Sequence, residues 1–61
     1  MNKFIYAFNK EDKHELLNRG LVFLSEGIID NKTVYIFLNS TKVKFSNEDK
    51  RKFMFSNKLF F

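Results

Sequence analysis

Sixty-one residues with no cysteine, no proline, a single histidine and a net charge of +4 describe one small domain, spanning residues 1–61, with few means of stapling itself. A chain this short buries only about 60% of the surface its unfolded form exposes, and without thiols or a usual set of zinc ligands, oligomerisation is the staple left open. No apolar run approaches the roughly 20 residues of a membrane span, and the short apolar run after Lys3 falls short of a secretory leader, so the expectation is a soluble protein of the cytoplasm.

Residues 2–8, with Phe4-Ile5-Tyr6-Ala7-Phe8 at their centre, read as a strand. Asn9 is a good helix N-cap, and Glu11 and Asp12 stand where the helix dipole favours negative charge. They predict a helix from Lys10 to Arg19, stopped by Gly20 in a left-handed conformation. Leu16 and Leu17 are its main apolar anchors, which suits a short helix lying on one face of a sheet. Leu21-Val22-Phe23-Leu24 begin a second strand that continues through Ile28-Ile29, with Gly27 as a bulge or bend. Asp30-Asn31-Lys32 supply turn chemistry before the strand Thr33 to Leu38, so residues 21–38 form a predicted hairpin.

After Asn39-Ser40, the alternation Lys42-Val43-Lys44-Phe45 predicts a strand with both lysines on its wet face. Residues 46–52 fit two structures. Ser46 and Asp49 are spaced as the cap of one helical turn, while Asn47-Glu48-Asp49-Lys50 suits a long hairpin loop. Phe53-Met54-Phe55, the turn Ser56-Asn57 and Leu59-Phe60-Phe61 read as short extended segments. The order is β-α-β-β-β with a possible extra C-terminal strand. It predicts an α+β fold, a single short helix packed on a small, mostly antiparallel sheet.

Nine phenylalanines and two tyrosines turn that fold into a covering problem. Consecutive apolar positions on a strand point to opposite faces, so both faces want cover. One short helix covers one face in part. Either the segment from Phe53 to Phe61 crosses the second face, or another chain covers a patch drawn from Phe4, Tyr6, Phe8, Tyr35, Phe37 and the terminal aromatics. The second solution predicts a homo-oligomer, and a third leaves the patch as a dedicated ligand or partner surface.

Catalytic patterns fail one by one. His14-Glu15-Leu16-Leu17-Asn18 imitates the His-Glu-x-x-His zinc motif, but Asn18 stands where the second histidine belongs. Glu11 and Glu15 lie one turn apart among Lys10, Lys13 and Arg19, as on a solvated helix face. With no cysteine and only Gly20 and Gly27 for glycines, neither a thiol nucleophile nor a glycine-rich phosphate loop can be built. The expectation is a protein without enzymatic activity, cofactor or metal.

Charge carries the remaining signal. Through residue 38, Lys3, Lys10, Lys13, Arg19 and Lys32 cancel Glu11, Asp12, Glu15, Glu26 and Asp30, and the whole excess lies beyond, where six cations face only Glu48 and Asp49. Lys42, Lys44, Lys50, Arg51 and Lys52 are the expected ligand-binding cations, pairing with phosphates or carboxylates, and Tyr6, Tyr35 or an exposed phenylalanine the expected rings for stacking on a base. That set suits RNA, single-stranded DNA or a nucleotide held between subunits. Lysines on an edge strand also guard against aggregation.

The stretch from Lys3 to Lys13, continuing through Leu16-Leu17 to Gly20, together with Val34-Tyr35-Ile36-Phe37 and the ending Ser56-Asn57-Lys58-Leu59-Phe60-Phe61, resembles small proteins encoded by bacteriophages and integrated elements of Firmicutes. The resemblance implies a viral setting and the host cytoplasm, where compact proteins block host defence, bind nucleic acid or belong to the particle. It suggests a binding protein that counters defence by sequestering a nucleotide or occupying a defence protein. A nucleic-acid-binding regulatory or packaging protein and a structural virion component are the alternatives. No functional residue is carried over.

Overall fold

In the computed structural model of the chain, which describes residues 2–58, the elements follow as β1 (Phe4–Ala7), α1 (Lys10–Asn18), β2 (Val22–Ile29), β3 (Lys32–Leu38), α2 (Asn47–Lys52) and β4 (Met54–Ser56). The strands form one antiparallel sheet in the order β2-β3-β1-β4. This is the expected small α+β fold, with α1 as its main helix.

Local chemistry places each boundary. The Asn9 side chain accepts a hydrogen bond from the Asp12 amide at 2.8 Å and starts α1. At its other end Gly20, with φ of 88°, lets the Gly20 amide reach the Leu17 carbonyl and the Leu21 amide reach the Leu16 carbonyl, the paired bonds of a Schellman stop. Asp30 and Asn31 take φ values of 51° and 63°, which a tight two-residue connection demands of both its residues. The hairpin register shifts between Phe23 and Ser25, so the irregularity falls at Leu24 and not at Gly27.

β1 sits between β3 and β4, and it is apolar on both faces because each face of the sheet carries a core. Ile5 and Ala7 join Leu16, Leu21, Tyr35, Phe37 and Phe53 in the core beneath α1, and Phe23, Val43, Phe45 and Phe55 pack around them. Phe23 meets Phe37 edge to face, with ring centroids 5.4 Å apart. Each large side chain fully buried here contributes about 1.5–3 kcal/mol. From α1 the buried residues are Asp12 and Leu16, one turn apart, while Leu17, the other expected anchor, stays exposed.

Tyr6, Val34 and Ile36 form a second core on the opposite face, flanked by Phe4, Ile29 and Met54. All three are fully buried. The Tyr6 hydroxyl donates to the Lys58 carbonyl at 2.6 Å, so the chain leaving β4 turns onto this face. Met54 of β4 packs on the same face, so the C-terminal segment contributes to its cover through Met54 and the Lys58 carbonyl. The expected extended segment Leu59-Phe60-Phe61 lies outside the described residues.

One expected strand is corrected, and one open choice is decided. Lys42 to Phe45 is not a strand: the Lys42 amide bonds the Ser40 hydroxyl and the Val43 amide the Ser40 carbonyl, which makes a turn. Its alternation came from Val43 and Phe45 packing on the core from a loop, while β4 takes the place beside β1. The ambiguous residues 46–52 resolve as α2, where Ser46 and Asp49 make a reciprocal capping box.

Candidate ligand groove

Between the 39–45 loop and the α2–β4 corner lies an open groove of about 1080 Å³. Asn2, Asn39, Ser40 and Thr41 line it with polar groups, and Phe8, Val43, Phe45, Phe53, Met54 and Phe55 form its apolar surface. Lys44 enters from the loop and Lys50 and Arg51 from α2, and among the described residues no Asp or Glu lines the groove. Among the described residues the ion pairs use none of these three cations. The Asn39 side chain is fixed, donating to the Asn2 carbonyl and accepting from the Ser40 amide, both at 2.8 Å.

The α2 wall contributes no buried residue of its own; α1 holds it through charge. Arg19, just past α1, grips Asp49 with two hydrogen bonds of 3.0 and 3.1 Å, a forked geometry, and also pairs with Glu15. Lys52 bonds Glu15 at 2.7 Å and Asp12 at 3.1 Å. The Arg19 guanidinium lies 5.6 Å from the Phe45 ring and 5.8 Å from the Phe53 ring, within cation–π range.

These contacts shift proton equilibria as geometry dictates. The Arg19 guanidinium, helped by the Ser46 amide, holds the Asp49 carboxyl well below the usual carboxylate range. Lys52 lowers Glu15, and in return Glu15 and then Asp12 raise Lys52. Asp49 raises Arg19 in the same way.

The expected binding set is thus divided. Lys44, Lys50 and Arg51 share the groove, whereas Lys42 is exposed on the same loop but outside the lining. Lys52 faces α1 and is engaged by two carboxylates. The two tyrosines are corrected as stacking residues. Tyr6 is fully buried, and Tyr35 is 6% exposed with the Lys13 ammonium 5.0 Å from its ring centroid. Rings at the groove come from Phe8, which is 45% exposed, and from the half-buried Phe45 and Phe55, whose centroids stand 5.2 Å apart edge to face. For Phe8 the signal was present, because it ends an apolar run and directly precedes a helix cap.

Among the described residues no group of three or more His, Asp or Glu side chains is placed to hold a metal ion, and no helix is long and apolar enough to cross a membrane. The chain matches no family model, no curated protein and no solved structure.

Proposed function

We propose that this is a non-enzymatic binding protein that captures an anionic nucleotide ligand in the groove, with tight binding in place of turnover. One observation carries this above the others: Lys44, Lys50 and Arg51 converge on a largely apolar, phenylalanine-bearing groove that no Asp or Glu lines among the described residues. Phosphates suit the cations, and a base suits the rings. The resemblance to phage-encoded proteins adds a setting in the host cytoplasm, where stoichiometric capture of a nucleotide, or of an acidic face on a defence protein, blocks host defence.

Calorimetric titration with ribonucleoside triphosphates tests the proposal. A saturable signal is expected for the parent and for Lys42→Glu, and its loss for Lys50→Glu combined with Arg51→Glu. A signal equally strong in all three proteins would contradict it.

Self-association is proposed along β2 instead of across a bare sheet face. β2 is an edge strand on which Val22, Leu24 and Ile28 are 57%, 43% and 69% exposed. It carries no lysine or proline to discourage pairing, and a second copy pairing there would extend the sheet.

A further inference from the structure

Asn2 and Phe8, both in the groove lining, flank β1 on either side. Six residue-to-residue steps separate them, most of them along β1, on the order of 20 Å at the rise of a strand. A single nucleotide occupies one station of such a groove, whereas a stacked strand advances only about 3.4 Å per nucleotide. Cations are also supplied from two separate segments, Lys44 from the loop and Lys50 with Arg51 from α2. The exposed ring of Phe8 offers a stacking surface, and the partly exposed Phe45 and Phe55, paired edge to face, border the groove.

We infer that the groove takes a short single-stranded oligonucleotide, several linked nucleotides with the phosphates on these three cations and bases against the rings. The inference rests on the nucleotide reading of the groove and specifies a chain where a lone nucleotide would leave most of the length empty. Aromatic platforms beside a cationic track bind single strands with little sequence preference, because every base has a face to stack. Among the described residues no Asp or Glu lines the groove to repel a passing backbone.

The test is fluorescence titration of the full chain with deoxythymidine oligomers of one, two, four and eight nucleotides. Affinity is expected to climb from one nucleotide to about four and then to level off. With three phosphate contacts the single-strand salt slope is about −2, so binding of the longer oligomers should weaken roughly 20-fold between about 50 and 200 mM salt. Lys44→Ala, Lys50→Ala and Arg51→Ala should each reduce that slope by about 0.7. Phe8→Ala should weaken binding by about 5- to 150-fold and leave the slope unchanged.

Equal affinity for one nucleotide and for eight overturns the oligonucleotide inference and leaves nucleotide capture standing. Binding of neither overturns both, and saturable binding of polyglutamate in that case assigns the groove to an acidic protein surface.

Discussion

Arg19 ties together groups that are distant in sequence: Glu15 one turn back, Asp49 in α2, and the rings of Phe45 and Phe53. Removing it leaves Asp49 without its forked partner and α2 without its main tie to α1. Arg19→Ala should cost about 1–3 kcal/mol in urea unfolding. Arg19→Lys should fail to restore that loss, since a single ammonium cannot reproduce two parallel bonds. Full stability in the lysine variant would show that charge alone suffices. Tyr6→Phe deletes the hydroxyl bound to Lys58 and should cost about 1 kcal/mol by the same measurement. At this scale the sequence was clearest where a residue acts on its own backbone, as Asn9 and Gly20 do. Tyr6 was misread for a physical reason: an aromatic in a strand has the same identity whether its face is open or covered.

α2 is a six-residue helix, too short to be stable alone, and it stays in place through its capping box and its ion pairs with α1. Its acid response follows from the depressed carboxyls. Glu15 is held down by Lys52 and Asp49 by Arg19. A group whose folded value is lowered contributes stability that is complete above its unfolded value of about 4 and is lost as pH falls through the folded value. Lys52 and Arg19 are raised, so their share is intact below about pH 10 and declines only above it. The share of stability these pairs contribute should therefore be level between about pH 5 and 10 and fall below about pH 4. Urea midpoints measured down that acid limb should decline less steeply in Asp49→Asn than in the parent. Parallel declines would place the acid sensitivity elsewhere. The cap Ser46 and Asp49 was legible as one of two options, and the choice depended on Arg19, thirty residues away. The false strand at Lys42 to Phe45 has the opposite lesson, because alternation reports which side chains are covered and not whether a neighbouring strand exists.

For the whole molecule, the α+β class and the β2–β3 hairpin were legible, because β1 and β3 are apolar on both faces and Asp30-Asn31 mark the turn, whereas the spatial order β2-β3-β1-β4 was not. The groove was legible only as a cluster of charge. Nothing in the spacing of Lys50, Arg51 and Lys52 shows that the last turns toward Glu15 and Asp12 while the first two line the groove. Exposed Val22, Leu24 and Ile28 on the β2 edge make a concentration-dependent mass the expected solution behaviour. Light scattering should show a species heavier than 7.4 kDa that Ile28→Lys returns to the monomer. A monomer at every concentration would remove self-association from the account.

Nitrogen–proton correlation spectra recorded during titration with a short deoxythymidine oligomer test the claim of a cationic, aromatic groove most directly. Saturable shifts are predicted at the amides of residues 39–45 and 50–55 and at Phe8, with the hairpin tip around Asp30 and Asn31 unmoved. Shifts centred on that tip, or none at all at low salt, would contradict the groove as the binding site.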